Sequence, residues 1–221
     1  MDPVTQEFAE DFAPRTEAEC KLYLISPQEV GGDFPDRLNA ALEPGLAAAF
    51  QLRVKQVDEQ ELLRLAEPLQ RICADKGVAF IVNDSIAVAK SLGADGVHLG
   101  QADGEVRDAR RLLGPSAQIG KTCHDSRHLA MEAGEAGADY VAFGAFYPTT
   151  TKATQFHPDP SLLTWWSTLF EIPCVAIGGI NQANAKRLVE AGADFIAVCQ
   201  AIWGNDDPQA AVRAFGGVIS R

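Results

Sequence analysis

The chain has 221 residues, of which 47% are hydrophobic and 22% are charged, a balance typical of a globular protein that buries a sizeable core. Its formal net charge of −11 argues against DNA or RNA as a partner, because binding to a phosphate backbone depends on clustered Lys and Arg. No apolar run approaches the roughly 18 residues that span a bilayer, and the acidic first residues lack the basic and apolar regions of a signal peptide. We therefore expect a cytoplasmic protein that makes no membrane contact and acts on small molecules.

The secondary-structure elements are predicted in chain order from apolar runs and helical spacing. Residues 1–20, which are acidic and contain two prolines, are predicted to form an N-terminal arm. Short apolar runs then predict strands at 22–26, 50–55, 78–82, 117–120 and 174–178. The segment 59–77 has the apolar spacing of a helix.

A Gly-Ala-Asp motif followed by an apolar run occurs three times, beginning at Gly93, Gly137 and Gly192. Each copy follows an Ala-rich helical segment, so the glycine is predicted to end a helix and the run to form a buried strand. These copies bring the predicted strands to eight, and their alternation with helices predicts a (β/α)8 TIM barrel, a single domain over 21–221. An open doubly wound sheet is the alternative, which the lack of a Gly-x-Gly-x-x-Gly turn disfavours.

The cysteines Cys20, Cys73, Cys123, Cys174 and Cys199 contain no Cys-x-x-Cys pair. An odd, unpatterned set in an intracellular chain predicts reduced thiols. Two of them lie in apolar runs, where cysteine packs as a small hydrophobe. We expect neither a zinc site nor a disulfide.

Acidic side chains follow two neighbouring predicted strands. Asp84 and Asp103 occupy these positions, with Asn83 and Gln101 beside them, and the carboxyl ends of barrel strands meet at one rim. Two carboxylates with amide oxygens suit Mg²⁺, a hard cation that keeps several waters and also binds substrate phosphates. For Asp84 the alternative is a helix N-cap.

Basic side chains are predicted at the same rim. Gln51, Arg53 and Lys55 occupy alternate positions of predicted strand 2, so we expect their side chains on one face. Inward-pointing charges are costly unless they are paired, which favours a functional role. With Lys152, the two strand cations are predicted to bind the oxygens of a diphosphate.

A second anion site is predicted from loop residues. The hydroxyls of Thr149 to Thr151, the Gly178-Gly179 turn and the backbone after strand 8 would form an oxyanion cradle, where such barrels commonly hold one phosphate. The rim is therefore predicted to receive two phosphorylated substrates, a diphosphate with metal and a monophosphate without.

Two further pairs have mainly structural interpretations. His124 and His128 are four residues apart, which would fit a metal pair, but a surface pair at a helix start is preferred. Trp165 and Trp166 indicate helix packing or a contact in a homo-oligomer.

Five motifs together resemble thiamine phosphate synthase, over about Leu22 to Ile202 and in that family's order: QLRVK, IVND, GADGVHLGQAD, GADYVAFGAFYPTTTK and VAIGGI. The resemblance implies a transferase with Mg²⁺ as cofactor. It would join 4-amino-2-methyl-5-hydroxymethylpyrimidine diphosphate to a thiazole phosphate, plain or carboxylated, and release pyrophosphate and thiamine phosphate.

The resemblance also implies roles for the matching residues. Asp84 and Asp103 would bind Mg²⁺. The residues expected to act in catalysis are Arg53, Lys55, Thr122 and Lys152. The two substrates would be bound by a wider set: Gln51, Arg53, Lys55, Asn83, Thr122, Thr149, Thr151, Lys152, Gly179, Cys199 and Gln200.

Three residues depart from the family pattern. Thr122 stands where the family usually has Ser, and its hydroxyl can still donate. Gln200 replaces a usual Ser near the thiazole phosphate. Lys121 is unexpected beside a cationic intermediate, unless it points away or touches phosphate.

Other functions are open to such a barrel. A related family, the thiazole tautomerases, shares the phosphate cradle but tends to lack the complete diphosphate and metal set. A non-catalytic binder of thiamine precursors would bind tightly without turnover. An unrelated phosphate-binding barrel, such as an epimerase, would have no obvious use for Arg53 and Lys55.

Overall fold

The computed structural model describes residues 19–149 and 155–219. Within them, eight parallel strands close into a barrel in sequence order, and β1 pairs with both β2 and β8. The strands are β1 (Lys21–Ile25), β2 (Ala47–Leu52), β3 (Ala79–Asn83), β4 (Gly96–Leu99), β5 (Gln118–His124), β6 (Tyr140–Gly144), β7 (Cys174–Ile177) and β8 (Phe195–Val198). The predicted (β/α)8 barrel is confirmed. Apart from Glu19 and Cys20, the predicted arm over 1–20 lies outside the described residues.

Helices follow each strand along the chain. Their bounds are α1 (Phe34–Leu42), α2 (Glu59–Asp75), α3 (Ile86–Leu92), α4 (Val106–Leu113), α5 (Arg127–Glu135), α6 (Ser161–Leu169), α7 (Ala185–Glu190), α8 (Gln200–Trp203), α9 (Pro208–Arg213) and α10 (Gly216–Ile219). The helix α2 confirms the one predicted over 59–77. In the part of the chain that the structure describes, no helix is long and apolar enough to cross a membrane.

The apolar core has two layers, because alternate residues of each strand face the barrel interior and the helices. The larger layer packs between strands and helices and includes Leu22, Phe50, Phe80 and Trp166, each fully buried. The interior layer consists of Tyr23, Ile25, Ala49, Ile81, Tyr140, Ala142, Val175 and Ala197. Several of these are small, which leaves room for polar side chains above them.

The three Gly-Ala-Asp motifs form the floor of the barrel, at the amino ends of the strands. The glycine of each copy has a positive φ, between 59° and 107°, as expected where a helix ends and the chain turns into a strand. The aspartates also have a role that the sequence did not reveal. Asp95, Asp139 and Asp194 each accept a hydrogen bond from a backbone N–H near the start of the preceding strand, at 2.6–2.8 Å.

Strand 2 differs from its prediction over 50–55. It begins at Ala47, which pairs with Leu22 of β1, and it ends at Leu52. Arg53 and Lys55 therefore lie in the loop after the strand, and the prediction that they occupy alternate strand positions is wrong. The small alanines at the start of the strand gave no strong apolar signal.

The tryptophan pair packs within the helical layer. Trp166 is fully buried, stacks on Phe170 with ring centroids 4.1 Å apart, and donates its indole N–H to Ile172 O at 2.7 Å. Trp165 packs on Phe170 and lies under the Arg127 guanidinium, 4.5 Å from the ring centroid. These contacts confirm helix packing, and a homo-oligomer contact stays a prediction.

Candidate active site

A cavity of about 470 Å³ opens at the carboxyl ends of the strands. Its lining includes most of the residues singled out from the sequence: Gln51, Arg53, Lys55, Asn83, Asp84, Asp103, Thr122, Thr149, Gly179, Cys199 and Gln200. Thr151 and Lys152 lie outside the described residues. The closed barrel thus brings residues from the ends of all eight strands to one pocket.

Asp84 directs its carboxylate into this pocket through an unusual backbone conformation. Its φ is 67°, in the left-handed region that non-glycine residues seldom adopt, and its N–H donates to His98 O on the neighbouring strand at 2.8 Å. The helix N-cap is the next residue, Ser85, whose hydroxyl accepts from Val88 N–H at 3.2 Å. The alternative that Asp84 caps this helix is therefore wrong.

The carboxyl groups of Asp84 and Asp103 lie within side-chain hydrogen-bonding reach of each other. Partial desolvation and the adjacent Asp84 carboxyl raise the pKa of Asp103, while the nearby Lys55 lowers it. The Lys55 ammonium lies 3.2 Å from Asp84 Oδ2. Two carboxyls held together at a pocket mouth repel each other when both are ionised, so this arrangement favours a bound cation.

The two carboxylates are oxygen donors, the kind of ligand that Mg²⁺ prefers, whereas zinc sites are rich in nitrogen and sulfur. Among residues 19–149 and 155–219, no cluster of three or more His, Cys, Asp and Glu side chains is arranged to hold a metal. A cation bound by Asp84 and Asp103 would need further ligands beyond these two side chains.

The basic segment after β2 is fixed by the loop after β1. Arg53 N–H donates to Ser26 Oγ at 2.9 Å, and Lys55 N–H donates to Gln28 Oε1 at 3.1 Å. The Gln28 amide donates in return to Lys55 O at 2.6 Å. The side chains of Ser26 and Gln28 thus bind the backbone where the hydrogen bonding between strands ends, at Leu52. Arg53 and Lys55 are therefore held at the rim although they lie outside the strand.

A chain of polar side chains crosses the barrel interior beneath the pocket. The phenol oxygens of Tyr23 and Tyr140 are 2.9 Å apart, and the Tyr140 oxygen is 3.2 Å from His98 Nδ1. His98 Nε2 lies 2.8 Å from Thr122 Oγ1, which faces the pocket. Burial raises the pKa of both tyrosines, so the phenols stay neutral. This series of hydrogen-bonded side chains orients the Thr122 hydroxyl.

His124 is a pocket residue that the sequence interpretation placed on the surface. It ends β5 with a φ of 54°, lines the cavity, and stacks on Phe156 with ring centroids 4.3 Å apart. His128 is exposed and lies 3.4 Å from Glu132 on α5. The preferred surface interpretation is therefore wrong for His124 and confirmed for His128.

The opposite side of the pocket is built from tightly packed backbone. Gly179 has a φ of 64°, and a Cβ there would lie 2.3 Å from Pro148 O, so no larger residue fits. The Asn184 amide donates to Gly179 O at 3.0 Å, and the Tyr147 hydroxyl donates to Asn184 O at 3.0 Å. Cys199 and Gln200 line the same side.

A closed barrel of eight parallel strands with a polar pocket at their carboxyl ends is the architecture of the TIM-barrel enzymes, whose active sites lie at this face. The family model described as thiamine monophosphate synthase matches residues 22–202. The chain belongs to this family.

Individual relatives agree with the family match. The chain is similar to the thiamine-phosphate synthase of Erythrobacter litoralis, with 61% identity over 209 residues that cover 93% of this chain and 98% of that protein. The corresponding protein of Rhodospirillum centenum is 51% identical over 203 residues, covering 91% of this chain and 98% of that protein. A solved structure of thiamine phosphate pyrophosphorylase from Pyrococcus furiosus superposes with a TM-score of 0.79 at 31% identity, covering 90% of this chain and 95% of that one.

Proposed function

We propose that the chain is a thiamine phosphate synthase, a transferase that condenses 4-amino-2-methyl-5-hydroxymethylpyrimidine diphosphate with a thiazole phosphate. The products are thiamine phosphate and pyrophosphate. The observation that carries the proposal is the contact between Asp84 and Asp103, with Lys55 beside them, in a pocket whose other side is glycine backbone. Family membership and the names of close relatives support the same activity.

The proposal assigns the diphosphate to the acidic and basic side of the pocket. Asp84 and Asp103 would hold Mg²⁺, which when bound supplies positive charge to the diphosphate oxygens. Arg53, Lys55 and Lys152 would neutralise the remaining charge of the leaving group. Asn83, Gln51 and the oriented Thr122 hydroxyl would fix the pyrimidine end.

The thiazole phosphate is assigned to the opposite side. Gly179, Thr149, Thr151 and the backbone at Cys199 and Gln200 would hold its phosphate, since close-packed backbone N–H groups form compact anion sites. With both substrates bound at opposite sides, the thiazole nitrogen would be held in line with the reacting methylene carbon.

The bond changes need no protein nucleophile. The carbon–oxygen bond to the diphosphate breaks, and both electrons leave with pyrophosphate. The methylene cation that remains is stabilised by the amino group of the pyrimidine ring, and the thiazole nitrogen donates the electron pair of the new carbon–nitrogen bond. The residues of the pocket bind the leaving group, align the nitrogen and exclude water from the cation.

A cytoplasmic location is part of the proposal. Both substrates carry phosphate charges that keep them from crossing a bilayer, so the enzyme is expected where they are made.

The test is a condensation assay with purified protein. We expect pyrophosphate release and thiamine phosphate, identified by mass spectrometry, only when both substrates and Mg²⁺ are present. Reactions without the thiazole phosphate are the control. Product formation at an equal rate with excess EDTA would overturn the metal assignment, and conversion of a thiazole substrate alone would favour the tautomerase.

A further inference from the structure

Lys121 is a buried cation that the proposed reaction does not use. Its residue is 7% exposed, and it lies on β5 between the inward-facing Gly120 and Thr122. Because neighbouring strand residues face opposite sides, its side chain points away from the barrel interior. This agrees with its absence from the described residues that line the pocket.

The Lys121 ammonium is bound by the loop between β4 and α4. It donates to Gly100 O and to Gly104 O, at 2.9 Å in both cases. Burying an ammonium is costly unless its protons are bound, and here two of them join the two ends of a five-residue loop. The next residue of the strand fixes the same loop, since the Gln101 amide donates to Thr122 O.

Asp103 belongs to this loop. Its N–H donates to Gly100 O at 3.3 Å, the same oxygen that accepts from Lys121. Its carboxylate packs against Gly100, where an added Cβ would clash with Asp103 Oδ2, and the nearby Gly100 backbone lowers the pKa of Asp103. The position of the Asp103 carboxylate beside Asp84 thus depends on the loop conformation that Lys121 holds.

We propose that Lys121 is a positioning residue that holds Asp103 in place to bind Mg²⁺, by tying Gly100 and Gly104 together from behind the site. The inference rests on the proposed function, because it takes Asp103 as a metal ligand. It also explains why a cation is tolerated near a cationic intermediate: its charge is committed to two carbonyl oxygens outside the barrel interior.

The test compares the affinity of Lys121→Met and of the wild-type protein for a divalent metal ion. Mn²⁺ binds the same oxygen ligands as Mg²⁺, and its free concentration can be followed by electron paramagnetic resonance. We expect the Mn²⁺ dissociation constant to rise by about tenfold or more, as for loss of other residues that orient metal ligands. At saturating Mg²⁺ the pyrophosphate release rate should return to within about twofold of wild type. General damage to the fold would not weaken metal binding while leaving this rate intact.

Two variants serve as controls. Lys90→Met removes the same charge from an exposed position on α3 and should leave the dissociation constant unchanged. Lys121→Arg keeps a cation with several donors and should restore most of the affinity. If Lys121→Met does not fold by circular dichroism, Lys121→Gln is used in the same titration.

The outcomes separate the two claims. Equal Mn²⁺ affinity in wild type and the folded Lys121 variant would overturn the role of Lys121 and leave the proposed function standing. A pyrophosphate release rate of the Lys121 variant that stays low at saturating Mg²⁺ would also overturn this role, because the substitution would then impair more than metal binding. A wild-type protein that binds no Mn²⁺ or Mg²⁺, with or without pyrophosphate, would overturn the role of Lys121 together with the metal assignment on which it rests.

Discussion

Aspartates occur at both ends of the barrel, and their surroundings differ. At the floor, Asp95, Asp139 and Asp194 each accept a hydrogen bond from the backbone N–H of a neighbouring strand. At the rim, Asp84 and Asp103 contact each other and a lysine. The floor carboxylates complete the backbone hydrogen bonding of the strands, whereas the rim carboxylates repel each other when both are ionised.

This difference separates stability from function. A carboxylate bound to a backbone N–H contributes to folding, because its removal leaves a donor unsatisfied. A pair of adjacent carboxylates contributes little to folding and is useful when a cation arrives. The left-handed backbone of Asp84 agrees with this, since strained conformations of this kind cluster at functional sites.

The largest expected effect is at the rim. Asp84→Ala should lower the rate of pyrophosphate release by roughly a hundredfold or more, as for removal of other groups that stabilise a transition state. The melting temperature should stay within a few degrees of wild type, because the change relieves repulsion from Asp103 and removes only a solvent-accessible ion pair with Lys55, which contributes little to stability. Steady-state kinetics with both substrates and a thermal melt measure the two quantities, and normal turnover by a folded variant would refute the metal assignment.

At the floor the opposite result is expected. The Cys174 N–H donates to Asp194 Oδ2 at 2.8 Å. Asp194→Ala removes this carboxylate acceptor and should lower the free energy of unfolding by about 1–3 kcal/mol. Turnover at a temperature where the variant is folded should match wild type. Urea denaturation provides the measurement, with the exposed Asp206→Ala as the matched charge control. A loss of turnover without a loss of stability would erase the distinction between the two ends.

The prediction with the smallest consequence for folding and turnover concerns two thiols, Cys174 at the floor and Cys199 at the rim, both free in the described structure. Burial raises the pKa of Cys199 to about 11 and that of Cys174 further. Since the thiolate is the reactive form, iodoacetamide should label Cys199 at pH 8 about a hundredfold more slowly than free cysteine, and faster at higher pH. Cys174 should label more slowly still, which peptide mass spectrometry can resolve.

The fold could be predicted because its signals are local and repeated. The Gly-Ala-Asp motif marks three helix-to-strand transitions, and apolar runs mark the other strands. The start of β2 was missed because Ala47 and its neighbours are small, and their strand conformation comes from pairing with Leu22. That pairing is a tertiary contact, which no local pattern contains.

The sequence predicted which residues meet at the pocket, but not the contacts that hold them there. The predicted strand ends indicate which residues reach the rim. They do not reveal the left-handed backbone conformation that orients Asp84. The chain from Tyr23 through Tyr140 to His98 joins residues up to 117 positions apart, each of them in an ordinary-looking strand. For Lys121 a signal was available, since its strand neighbour Thr122 faces inward and alternation sends the lysine outward.

The most direct test of the central claim is to locate the metal. Crystals grown with Mn²⁺ and pyrophosphate, measured at the manganese absorption edge, would give an anomalous peak at the ion. We predict a peak within about 2.3 Å of carboxylate oxygens of both Asp84 and Asp103, with pyrophosphate oxygens completing the coordination beside Lys55. A peak at another place in the molecule, or pyrophosphate bound in the pocket with no metal at these two carboxylates, would contradict the account.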